Sequence, residues 1–148
     1  MGKEVNITPH FTLEELTASE TAERNGWDNT PGEAEQANLK RLANLLEQVR
    51  ALVNKPVMVN SAYRSKKVND AVGSKDTSQH RLGCAADIRV PGMTPDQVCR
   101  AVIASGIAYD QIIREFDRWT HISVPNTEST PPRKQALIID RTGTRPFV

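Results

Sequence analysis

Helices gathered in the first third of the chain and short strands in the rest, with one helix set among the strands, predict an α+β fold with a small, mostly antiparallel sheet. Three observations carry that prediction. A long amphipathic stripe occupies the first third, short alternating runs replace it after Pro56, and a well-capped helix interrupts those runs.

The first helix starts at residues 11–16. Thr12 and Glu15 stand three apart as a capping box, with Phe11 and Leu16 placed for a hydrophobic staple. A second short helix follows from Thr17 and stops before Gly26, and Asp28-Asn29-Thr30-Pro31 reads as a turn. The main core helix spans Glu33 to Val53. Leu39, Leu42, Leu46, Val49 and Val53 step by three or four, and Leu45 and Leu52 widen the stripe. It ends near Asn54-Lys55-Pro56, because a residue before proline is steered out of the α region.

Strands are expected at 57–61, Ala85 to Val90, Asp110 to Phe116, Trp119 to Val124 and Gln135 to Asp140. Thr94 (cap), Pro95 (first turn) and Gln97 (capping box) open a helix that runs to Gly106 and separates the second strand from the third. No repeat or linker divides the chain, and 148 residues suit one domain covering 1–148.

Composition narrows the function. Nineteen basic and 18 acidic side chains leave a net charge of +1, without the basic surplus expected of a nucleic-acid binder. No stretch approaches the ~20 apolar residues of a membrane span, and the N-terminus carries no apolar core of signal-peptide length. The expectation is synthesis in the cytoplasm, with any export supplied by another protein. Cys84 and Cys99 lack a CxxC spacing and are expected as packed thiols.

Three histidines occur. His80 lies in the polar stretch Ser78-Gln79-His80-Arg81-Leu82-Gly83, which leads into Ala85-Ala86-Asp87-Ile88-Arg89-Val90. Alternation there sets Asp87 opposite the apolar Ile88 and Val90, and sets His121 opposite Ile122 and Val124. His10 precedes the capping box and reads as a neighbour of the staple. A hairpin through Phe116-Asp117-Arg118 brings Glu115 towards His121. Two imidazoles and one carboxylate suit a catalytic Zn²⁺ with a fourth position left for water, and Glu115 is the carboxylate best placed as base. The same residues also suit hydrogen-bonding roles on a strand, and spacing by itself does not choose between the two.

The string Ser78-x-His80-x-x-Gly83-x-Ala85-x-Asp87, followed by Trp119-x-His121, resembles the zinc D-alanyl-D-alanine peptidases (peptidase M15-like), and more narrowly their phage-type branch. Phe11-Thr12-Leu13-Glu14-Glu15-Leu16 looks like that family's opening, and Ser61-Ala62-Tyr63-Arg64-Ser65 is similar to its Ser-Gly-Tyr-Arg-Ser segment. The resemblance implies a hedgehog or DD-peptidase-like fold, zinc held by His80, Asp87 and His121, and hydrolysis of peptidoglycan stem peptides or cross-links. It further implies catalytic roles for Glu115 and Arg64 and substrate contacts from Arg64, Ser78 and Tyr63.

In other branches the base stands three residues before the last histidine, where this chain has Arg118, so Asp117 is the runner-up to Glu115. Asp117 itself is expected in the hairpin turn, capping backbone amides. The partners implied are peptidoglycan peptides, with delivery to the cell wall by a holin-type protein or on a virion, and the chain acting as a monomer. The rival readings are a non-catalytic, zinc-stabilised cell-wall-binding module and a virion structural protein. The bond cut, whether D-Ala-D-Ala, L-Ala-D-Glu or a cross-bridge, is open.

Overall fold

The computed structural model describes residues 6–75 and 77–147; residues 1–5, on which the reading of the N-terminus partly rests, lie outside them. A short hairpin, β1 (Asn6–Thr8) and β2 (Phe11–Thr12), leads into α1 (Leu13–Thr17), α2 (Glu20–Asn25) and the long α3 (Glu33–Val53). Then come β3 (Met58–Ser61), α4 (Lys66–Ala71), α5 (Gln79–Leu82), β4 (Ala85–Arg89) and α6 (Pro95–Ser105). Strands β5 (Gln111–Glu115), β6 (Trp119–Ser123), β7 (Gln135–Asp140) and β8 (Gly143–Pro146) complete the described chain. This is the expected α+β class, with a larger sheet ordered β3-β4-β6-β5-β7-β8 beside the small hairpin.

The capping signals form where the sequence places them. Thr12 accepts from the Glu15 amide while Glu15 reaches back to the Thr12 amide, and Thr94 and Gln97 do the same for α6. Gly26 ends α2 in the left-handed conformation, and Asn54 ends α3 likewise.

Neighbouring strands of the large sheet are antiparallel except β5 and β7, which run parallel. A parallel neighbour cannot be reached by a tight turn. The segment 124–134 supplies the crossover, and its end is tied back by the Lys134 and Gln135 amides donating to the Tyr109 and Asp110 carbonyls.

Alternation gives the sheet two unlike faces. Ile88, Ile112 and Ile122 are fully buried and belong to one core with Leu39, Leu42, Leu46 and Val49 of α3 and Val98 and Val102 of α6. Full burial of each such side chain is worth roughly 1.5–3 kcal/mol, so this face holds the fold together. The opposite face carries Asp87, Ile113, Glu115 and His121, with Asp87 and Ile113 both in register with His121. Phe11 and Leu16 join the same core, as do Cys84 and Cys99, both free thiols.

Four features differ from the sequence reading: the β1–β2 hairpin, α4, α5 and β8. Helix α5 has four residues and α4 six, too few to show a period. The residues of β8 are all exposed, so no apolar alternation marks it, and Pro146 is tolerated because the strand lies at the edge.

Candidate metal centre

His80, Asp87 and His121 each offer a ligand atom within 4.8 Å of the others. Three neighbouring elements bring them together. Asp87 and His121 are partners on β4 and β6, and α5 sets His80 above them, capped by Ser78, whose hydroxyl accepts from the His80 amide. Gly83 lets the chain turn from α5 into β4 with φ of 78°. A Cβ at this position would lie 2.8 Å from the Glu35 carbonyl oxygen, so the close approach to α3 also requires glycine.

The ring of His80 is fixed in direction and tautomer. Its Nδ1 lies 2.7 Å from the Ala62 carbonyl, which can only accept, so Nδ1 carries the proton and the Nε2 lone pair faces Asp87. His80 Nε2 is 3.4 Å from Asp87 Oδ1, and His121 Nδ1 is 3.0 Å from the same oxygen. A tetrahedral zinc with bonds of ~2.0–2.2 Å sets its ligand atoms about 3.3–3.6 Å apart; the His80–Asp87 separation matches this, the His121–Asp87 separation is a little shorter, and the donor set suits that ion. The Ala62 carbonyl is the kind of outer partner that orients a ligating histidine.

The electrostatics agree with a ligand set. Burial lowers the pKa of His80, which keeps the imidazole neutral. Burial would raise that of Asp87, but the hydrogen bond with His121 outweighs it and holds the carboxylate ionised. Arg64 places Nη2 3.6 Å from Asp87 Oδ2. Burial lowers the pKa of Arg64 while Asp87 and Glu115 oppose the shift, and a guanidinium remains charged in any case.

Glu115 stands at the edge of the cluster, with Oε1 3.9 Å from His121 Nδ1. Burial first, and then the charge of Asp87, raise its pKa. Asp117 is elsewhere. It pairs at 3.1 Å with Nε of Arg114, which in turn meets Asp96 of α6, so its carboxylate lies towards the opposite face of the sheet. That ion pair replaces the amide-capping role expected of Asp117, because the loop residues Phe116 and Asp117 adopt positive φ and turn the side chain towards Arg114.

Tyr63 is 5% exposed and packs in the core, while its amide donates to the Leu16 carbonyl. His10 pairs with Glu47 of α3 at 2.7 Å and does not join the His80, Asp87 and His121 group. Two supports had no signal in the sequence. The Ala62 carbonyl is a backbone group, and Asn29 bridges the Thr17 and Tyr63 carbonyls and the Ser65 amide, fastening the loop that carries Arg64. An asparagine in a turn-rich stretch reads as a turn former, which conceals that role.

The sequence model of the Peptidase M15 family matches residues 9–123, a span that contains His80, Asp87, Glu115 and His121. No curated protein matches the chain. Since the matched span covers most of the sequence, the chain belongs to the Peptidase M15 family of metallopeptidases.

Proposed function

We propose that the protein is a zinc-dependent peptidase of peptidoglycan, hydrolysing amide bonds in stem peptides or their cross-links. The observation that carries this reading is the convergence of two imidazoles, one carboxylate and a second, separate carboxylate where α5 meets one face of the sheet. In this reading His80 through Nε2, His121 through Nδ1 and Asp87 through a carboxylate oxygen hold the ion. When bound there, zinc would lower the pKa of a coordinated water to about 7 and polarise the scissile carbonyl.

The protein's own groups divide the remaining work. Glu115 takes the proton of the attacking water and returns it to the leaving amine; its burial, which favours the protonated form, helps it keep that proton between the two events. Arg64 presents a forked cation to the substrate carbonyl or carboxylate, and Asp87 holds it in place. The Ala62 carbonyl keeps the His80 proton at Nδ1. Ser78 caps α5 and lines the open cleft beside His121, where its hydroxyl can meet substrate, while Tyr63 packs in the core next to Arg64 in sequence.

The substrate lies beyond a membrane, and no helix among the described residues is long and apolar enough to cross one. Delivery by a holin-type partner or on a virion belongs to the same proposal. A phage-type lysis role is the setting in which these features fit together.

Mass spectrometry of purified peptidoglycan before and after incubation tests the reading. New free termini should appear with the protein, vanish with a chelator and return on adding zinc. Peptidoglycan left unchanged by folded, zinc-loaded protein would instead favour a binding or structural module.

A further inference from the structure

Two open clefts reach the cluster from opposite sides of β4. The first, of about 860 Å³, lies among α2, α4 and the edge strand β3 and approaches the cluster through Arg64, which pairs with Asp87. The second, of about 850 Å³, lies among β5, β6, β7 and the segment after β6, and meets it at Ser78 and His121. Strand β4 runs between β3 and β6, and the Asp87 carboxylate joins the two ends. Its Oδ2 is 3.6 Å from Arg64 and its Oδ1 3.0 Å from His121.

Each cleft has the size that accepts a drug-sized ligand, which is far more than one alanine needs. An enzyme that removes a single terminal residue requires a short blind pocket with a cation to hold the terminal carboxylate. Among the described residues lining the first cleft, Arg64 is the one cation, and it stands at the cluster end. Farther out are Glu20 and Glu23, which repel a carboxylate. In the second cleft Arg133 is tied to Asp110 at 2.6 Å, and Lys75 sits on the exposed rim.

We propose that the substrate peptide crosses the cluster with several residues in each cleft, so that the bond cut is internal and the protein is an endopeptidase. This rests on the peptidoglycan-peptidase reading and deepens it. One water is consumed per cut. Its oxygen joins the acyl carbon as the C–N bond breaks, and its proton ends on the leaving nitrogen.

The test uses the full chain with zinc and three substrates: L-Ala-γ-D-Glu-L-Lys-D-Ala-D-Ala with a free C-terminus, the same peptide amidated there, and purified peptidoglycan. Fragments of two or more residues from both peptides, or opening of cross-links in the polymer alone, are the expected products. Release of the terminal D-alanine only, abolished by amidation, would overturn the proposal while leaving the peptidase reading intact. Failure to cut any of the three would sink that reading and the proposal with it.

A binding measurement gives a second readout. Titrating the amidated peptide into the Glu115→Gln protein should shift backbone amide resonances in both clefts, at Ser61 and Val72 on one side and Gln111 and Thr130 on the other. Shifts confined to one cleft would contradict a substrate that spans the cluster.

Discussion

At the scale of single residues, the two acidic side chains of the β5–β6 hairpin separate by face. Glu115 shares the face of His121 and lies 3.9 Å from it, whereas Asp117 pairs with Arg114 towards α6. A base must come within hydrogen-bond reach of the proton it takes, so geometry favours Glu115. Glu115→Gln is expected to keep zinc and fold and to lose activity by a factor on the order of 10²–10⁴, the usual contribution of such a group. Asp117→Asn should retain most activity. Rates of peptidoglycan digestion, with zinc content measured alongside, decide it, and the reverse ranking would move the base to Asp117. The side of the strand each residue occupies follows from alternation and was legible in the sequence. The Asp117–Arg114 pair was not, because it depends on positive φ at two non-glycine residues in the turn.

At the scale of elements, the site depends on short segments held by specific contacts. Helix α5 packs on α3 through Gly83, whose added Cβ would meet a backbone oxygen at 2.8 Å, while a Cβ at Gly26 would meet nothing within 4 Å. Both glycines are left-handed, which costs another residue roughly 1–2 kcal/mol. Gly83→Ala should therefore destabilise by more than Gly26→Ala, and thermal melts of the two variants compare them directly. Only Gly83→Ala should also weaken zinc binding, because the chain that carries His80 must shift.

The segment after β6 is held differently. Buried Asp110 accepts from the Arg133 amide and side chain and from Gln79 of α5. Burial alone would raise its pKa, but these hydrogen bonds hold it below the ordinary 3.8. A depressed carboxylate contributes stability that is present above the unfolded value and lost as pH falls through the folded one. Asp110→Asn should cost roughly 1–3 kcal/mol near neutral pH, and the gap from wild type should narrow below about pH 4. Denaturant titrations across that range check the sign. The long helix, α6 and the central strands were readable because each shows a period or a cap. Helices α4 and α5 fall below the length at which periodicity speaks, and α5 is the element that carries His80.

At the scale of the whole molecule, stability and function occupy opposite faces of one sheet. The apolar core between the sheet, α3 and α6 does not include the cluster, whose ionisable side chains lie on the other face. A ligand that binds only the folded state adds up to roughly 4 kcal/mol when it is present at a thousand times its dissociation constant. Chelation should lower the melting temperature, yet the apo protein should still unfold cooperatively. Calorimetry with and without chelator measures this, and an apo protein lacking a cooperative transition would mean that the core does not carry the fold.

The order of segments in the sequence made the α+β class readable, since helices precede strands. The parallel placement of β7 beside β5 was not readable, because an irregular crossover leaves no periodic trace. In the proposed function, His80, Asp87 and His121 together hold one zinc ion. Elemental analysis of the purified protein tests it most directly. Close to one zinc per chain is expected in the wild type, with its loss in folded His80→Ala and His121→Ala variants. Folded variants that hold as much zinc as the wild type would contradict it.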